Sequence, residues 1–283
     1  MTTVTPRGRM AILPDRARPL LFAHRGCSSL APENTLAAFR RARELGIPGL
    51  ELDIHVCATG ELVVAHDDNF LRTAPSGTNA GGLNIEELPL NEIRAVDVGT
   101  FFDPAFGGER PPLLEEVLEE FCPALYIDIE LKSNKVLGDR LPGLAAEKLR
   151  SFGKAVEEAV TVSSFNPFSI AAFKRAAPHI PTAIIYGESE DVPRILRRGF
   201  GRHIAACDYV KPNYLLVTQA SFSRIAVREK RPMVPWTVDD PAAALAMLRR
   251  GCDGIVSNRP QDLSAIVTAD AIVKAEAAAR AGA

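Results

Sequence analysis

Short apolar runs alternate along the chain with stretches whose apolar positions recur at helical spacing. The runs at 20–24, 49–55, 124–131, 159–165, 182–186, 208–212, 233–238 and 253–257 are nearly continuous in aliphatic and aromatic residues. Such runs suit strands covered on both faces, as in a parallel sheet. Between them, residues 35–45, 114–121, 143–152, 168–176, 192–198, 219–229, 242–249 and 261 onward read as helices. Eight strand–helix units predict an α/β fold, a (β/α)8 TIM barrel, with residues 1–283 forming a single domain.

One stretch breaks the alternation. After the second run come Ala58-Thr59-Gly60 and a further extended run at 61–66, the pattern of a hairpin around a glycine turn. Residues 68–112 then hold turn formers (Pro75, Ser76, Gly77, Thr78, Asn79, Gly81 and Gly82) and the phenylalanines Phe101, Phe102 and Phe106. That length exceeds an ordinary βα loop. It predicts a small insertion after the second barrel strand, packed onto the barrel by its phenylalanines. The Ala-rich stretch 268–283 is expected to be a fraying terminal helix without chemistry.

Composition narrows the function. With 33 basic and 35 acidic residues the formal net charge is −2, which argues against a nucleic-acid surface. A locally basic site for a small anion remains open. The five cysteines are odd in number and form no CxxC, which fits reduced thiols. No signal-peptide-like stretch begins the chain and no run of 18 apolar residues occurs, so a cytoplasmic protein without a transmembrane segment is expected.

In a barrel, the C-terminal strand ends build the site. There the first run ends in His24-Arg25, the second carries Glu51 and Asp53, and its hairpin partner ends in His66-Asp67. The third carries Asp128, Glu130 and Lys132. Residues two apart on a strand share a face, so Glu51 joins Asp53 and Glu130 joins Lys132. Carboxylates are rare in apolar strands unless they are paired or bind a metal. Three converging carboxylates describe an oxygen site for a hard divalent cation, and the histidines and arginine add acid–base groups and an anion fork. Metal, arginine, lysine and two histidines together suit a phosphate ester. The plainer reading is a set of buried ion pairs of Glu51 and Asp53 with Arg25 and Lys132. His55 and His179 read as structural, Cys27 as a loop residue and Trp236 as core.

The segments AHRG, APENTLAAF, GLELDIHV, ELVVAHDD, YIDIELK, VSSFNP, VPWTVDD and GCDGIVSNRP, in this order and spacing, resemble the glycerophosphodiester phosphodiesterase family over nearly the whole chain. The resemblance implies a TIM barrel that hydrolyses glycerophosphodiesters to glycerol 3-phosphate and an alcohol. It implies one divalent cation, Mg2+ or Ca2+, on Glu51, Asp53 and Glu130. It also implies His24 and His66 as the acid–base pair, Arg25 and Lys132 on the phosphate, and Trp236 against the substrate. Departures are Thr59-Gly60 where Asp-Gly is usual and Asp239-Asp240 where Asn is common, neither expected to touch the catalytic groups. Glu33 is expected either to orient a site group or to cap the first helix. Two rivals stand beside this reading. A lysophospholipase D or sphingomyelinase D-like enzyme would need an apolar groove, for which Phe101, Phe102 and Phe106 are candidates. A non-catalytic phosphodiester-binding barrel would lack a histidine or a carboxylate, and here all are present.

Overall fold

The computed structural model describes residues 11–14, 16, 18–74, 82–188 and 192–281. Its strands are β1 (Leu20–His24), β2 (Gly49–Val56), β3 (Leu62–Val64), β4 (Tyr126–Leu131), β5 (Val160–Ser164), β6 (Thr182–Tyr186), β7 (Tyr209–Pro212) and β8 (Gly254–Ser257). They form one sheet in the order β7-β6-β5-β4-β2-β1-β8, with β3 on β2. Every pairing is parallel except β2 with β3, the hairpin. The segment 233–238 closes the gap. Val234 and Trp236 donate backbone N–H bonds to Val210 and Pro212 on one side; on the other, Asp253 and Val256 donate to Met233 and Pro235. With this irregular member the sheet becomes a barrel of eight parallel strands, the TIM architecture expected.

The helices are α1 (Leu36–Glu44), α2 (Leu90–Ile93), α3 (Leu114–Phe121), α4 (Leu141–Phe152), α5 (Lys154–Glu157), α6 (Pro167–Ala176), α7 (Gly201–Ala205), α8 (Gln219–Phe222), α9 (Pro241–Arg250) and α10 (Pro260–Ala281). Their starts follow local chemistry. Asn166 and Asp240 cap α6 and α9 by accepting backbone N–H bonds, each followed by a proline at the first helical position. Two expected helices differ. Residues 192–200 form turns, not a helix, with bonds from Leu196 N to Pro193 O and from Gly199 N to Leu196 O, and helix begins only at Gly201. The stretch 219–229 splits into α8 and a π-helical turn, Ser223–Arg228.

Alternation divides the strands into two cores. Outward residues such as Leu21, Leu50, Leu52, Ile127, Ile129 and Val162 pack under the helices. Inward residues Leu20, Phe22, Tyr126, Ala183, Tyr209, Val234 and Val256 fill the barrel, joined at one end by Ile12 and Leu13. Moving toward the C-terminal strand ends, the inward positions turn polar: Asp128, Thr161, Ser163 and Lys211, then Glu51, Asp53 and Glu130, all buried. That change of lining is what makes one end of the barrel a site.

Between β2 and α3 the chain has its own apolar cluster of Cys57, Val63, Ala65, Phe70, Ile85, Leu88, Ile93, Val96, Val98 and Leu113. The turn formers Pro75–Asn79 and Gly81 lie outside the described residues. Phe101 and Phe102 are exposed, Phe102 meets Phe106 edge-on, and none of the three joins a core cluster. Their loop folds around Asp97, whose carboxylate accepts N–H bonds from Gly99, Thr100 and Gly108. Polar bonds within the loop hold it, so the rings are not needed as anchors.

Candidate active site

The register of the sheet brings the candidates together. His24 lies beside Glu51, Glu51 beside Asp128, and Asp53 beside Glu130. Glu51, Asp53 and Glu130 each offer an oxygen within 4.8 Å of the others. Glu130 takes the Lys132 ammonium at 3.1 Å, which also lies 3.7 Å from Asp53. Arg25 Nε stands 3.6 Å from Asp53. Deeper, Asp128 pairs with buried Lys211 at 2.5 Å and accepts from Ser163 and Thr161.

Charge is unequally shared in this set. Burial would raise the Asp53 carboxyl, but Lys132, Arg25, His66 and the Asn34 amide hold it well below the usual carboxylate range. Glu51 goes the other way, pushed well above its ordinary value by burial and then by Asp53. Glu51 accepts the Arg25 backbone N–H at 3.0 Å and has the His24 ring at 3.9 Å. Among the described residues, no lysine or arginine side chain lies within ion-pair distance of it. A buried, all-carboxylate donor set with one member left without a cation fits a hard divalent ion. The plainer reading is half right: Asp53 does pair with Arg25 and Lys132, but Glu51 pairs with neither side chain.

His24 is oriented by a chain of polar groups. Asp239 accepts from the Asn258 amide nitrogen at 2.8 Å, so the amide turns its oxygen toward His24, whose Nδ1 donates to it at 2.6 Å. A proton on Nδ1 leaves Nε2 as the free lone pair in the neutral ring. Burial, then the Arg25 charge, lowers His24 to about 4, so the ring is neutral near pH 7. Asp239, expected to stand clear of the catalytic groups, is therefore one residue removed from a histidine.

The sharp turn after β1 puts Arg25 and Gly26 in left-handed backbone conformations, at φ 56° and 80°. A β-carbon on Gly26 would sit 2.7 Å from the Ala38 β-carbon and 2.8 Å from its carbonyl carbon. Gly26→Ala should therefore cost about 1–3 kcal/mol of stability, read as a lower urea midpoint at unchanged m-value.

His66 extends from the hairpin and donates through Nδ1 to Asp67 at 2.6 Å. Both histidines act electrostatically on or with Asp53. Glu33 does not cap α1, which Thr35 caps; it accepts from Arg25 Nη1 at 2.9 Å and orients that guanidinium. Trp236 stands on the closing segment at the same rim. Its indole donates to the Lys211 carbonyl and meets Phe165 edge-on at 5.5 Å. His55 is buried with Nε2 3.3 Å from the His66 carbonyl, and His179 pairs with Glu157 on the surface. Burial pushes the Cys27 thiol up to about 11, which leaves it inert.

Residues 24–262 match the family model of the glycerophosphoryl diester phosphodiesterase family. The chain belongs to this family. As a member it is a phosphoric diester hydrolase. It is 32% identical over 265 residues to a glycerophosphodiester phosphodiesterase of Caldanaerobacter subterraneus, covering 88% of this chain and 98% of the relative. It is 32% identical over 250 residues to one of Bacillus altitudinis, covering 85% and 94%. Among solved structures, a phosphodiesterase of Oleispira antarctica, in complex with the product sn-glycerol-3-phosphate, superposes with a TM-score of 0.77 at 26% identity, covering 88% of this chain and 96% of that one.

Sequence reading gave no role to several groups that this family member places around the site: Asn34 on Asp53, Asn258 and Asp239 behind His24, and Lys211 beneath the carboxylates. Lys211 and Asn258 stand at strand ends, where site groups are expected. Asn34 and Asp239 are loop residues brought in from another part of the chain.

Proposed function

We propose that this phosphodiesterase hydrolyses glycerophosphodiesters to glycerol 3-phosphate and an alcohol. It would do so with one divalent cation, Mg2+ or Ca2+, held by Glu51, Asp53 and Glu130. The observation that carries the reading is the convergence of these three buried carboxylates with Arg25, Lys132 and His24 at one end of the barrel. The product held by the Oleispira relative supports the same substrate class.

When bound, the cation supplies Lewis-acid charge to the phosphoryl oxygens. Arg25 and Lys132 bind the remaining phosphoryl oxygens and take up charge that develops there. His24 Nε2 accepts the proton of the attacking oxygen, whether that oxygen belongs to water or to the glycerol 2-hydroxyl. His66 hands its proton to the departing alkoxide, a poor leaving group otherwise. Trp236 offers an apolar edge to the glycerol or to a cationic headgroup. The test is release of glycerol 3-phosphate from a panel of glycerophosphodiesters. No release from any of them would overturn the reading.

A polar headgroup is favoured over a lysolipid chain by the cavity beside Lys132. It measures about 440 Å³ and is lined by charged groups including Asp68, Glu86, Lys135 and Asp139. Among the described residues, no phenylalanine, tyrosine or tryptophan, Phe101, Phe102 and Phe106 included, is part of its wall. Each methylene that finds no apolar wall forgoes about 0.8 kcal/mol. Glycerophosphocholine should accordingly be turned over with a kcat/KM at least about tenfold above that of lysophosphatidylcholine, a modest margin of about 1.4 kcal/mol. The reverse order, measured by headgroup release, would favour the lysophospholipase D reading. Five free cysteines are consistent with work in the cytoplasm, and no described helix is long and apolar enough to cross a membrane.

A further inference from the structure

Six residues after His66, Arg72 joins groups that come from two separate parts of the site. Its Nε donates to Asp67 at 2.8 Å, and its two terminal nitrogens form a fork on Glu33 at 2.8 and 2.7 Å. Asp67 in turn holds His66 Nδ1 at 2.6 Å, and Glu33 holds Arg25 Nη1 at 2.9 Å. The result is a continuous chain, His66–Asp67–Arg72–Glu33–Arg25, running from the hairpin to the loop after β1. An isolated exposed ion pair would hold little. Here, however, all the bonds are charge-assisted, one is bidentate, and the Glu33 side chain is only 16% exposed.

We propose that Arg72 is a positioning residue that sets His66 and the Arg25 phosphate clamp in register with each other. The proposal rests on the phosphodiesterase reading above and adds to it a residue that touches neither substrate nor cation. Arg72 acts in two directions. Through Asp67 it fixes the His66 ring, so its loss lets the ring swing from the line of the leaving oxygen. Through Glu33 it shares a negative charge that would otherwise fall wholly on Arg25, so its loss weakens the grip of Arg25 on phosphate. Displacing the supports of site groups typically costs about 10–100-fold in activity. Arg72→Ala should lower kcat/KM by about that much, with kcat falling and KM rising together.

The Arg72 side chain is 46% exposed, so the variant should fold, which its melting curve checks. Exposure also lets a small guanidinium ion enter the space left behind. Guanidinium at millimolar concentration should restore part of the lost activity to Arg72→Ala and none to His66→Ala. Arg72→Lys keeps the charge but cannot span Asp67 and Glu33 with one planar fork. It should therefore recover KM more than kcat. Wild-type kcat and KM in Arg72→Ala would overturn the proposal. So would a lower kcat at unchanged KM without guanidinium rescue, the mark of a lost active fraction. A wild-type protein that hydrolyses none of the diesters overturns the parent reading instead, and the proposal with it. Activity that depends on His66 but not on Arg72 sinks the proposal alone.

Discussion

Activity should vanish in excess chelator and return on adding Mg2+ or Ca2+. The reason lies in the charge of the site. Glu51 is buried beside Asp53 with no lysine or arginine side chain among the described residues within ion-pair distance, and burial and Asp53 push its carboxyl well above the usual range. A divalent ion held by these three oxygens would relieve that repulsion and would supply Lewis-acid charge. Several kcal/mol of transition-state stabilisation corresponds to a loss of about 10³-fold or more. Full turnover in chelator would sink the metal assignment. Glu51→Gln gives an independent reading. It removes a carboxylate from a crowded buried set, so the metal-free variant should melt no lower than the wild type. The wild type should be stabilised by added cation as binding to the folded state requires. The variant should show little of that shift and should lose most turnover. A cation-dependent melting shift of wild-type size in Glu51→Gln would remove Glu51 from the donor set.

His24→Ala and His66→Ala should respond differently to the leaving group. General acid catalysis is worth about 10²–10⁴-fold, so loss of the acid should cost about that much on an alkyl diester and far less on a p-nitrophenyl phosphodiester. Loss of the base should cost as much on either substrate, because its proton comes from the nucleophile. The proposed mechanism makes His66 the acid and His24 the base. The hydrogen bonds agree with this division. Asn258, held by Asp239, accepts the Nδ1–H hydrogen bond of His24 and so leaves the lone pair on Nε2, and burial keeps that ring neutral. His66 donates through Nδ1 to the Asp67 carboxylate, which fixes the orientation of its ring. Rescue of His24→Ala alone by the activated ester would reverse the roles. Equal losses on both substrates for both variants would refute the division. Each variant must first show a wild-type melting curve and metal-induced shift.

Much of this protein is written in its local pattern. The strands are legible because a parallel barrel strand is covered on both faces, so 20–24, 49–55 and 182–186 had to be apolar wherever they were not functional. For the same reason Glu51, Asp53 and Glu130 stand out, since a carboxylate in such a strand needs a partner to be there at all. The segment 233–238 could be read as a strand, but only closure of the barrel, between Val210 and Val256, shows why it belongs there without a regular ladder. The run 192–198 shows the limit of helical periodicity. Its apolar spacing is satisfied by successive turns that end at Gly199, whose positive φ of 79° lets the chain turn before Gly201. The supporting residues were out of reach for a different reason. Asn258 meets His24 across 234 positions of chain, and Arg72 meets Glu33 across 39. A loop asparagine or surface arginine has no periodicity to betray it, because its role depends on which strand end the barrel sets beside it. The sequence by itself determined the strands and the charged groups on them; closure of the barrel decided which loop residues would hold those groups in place.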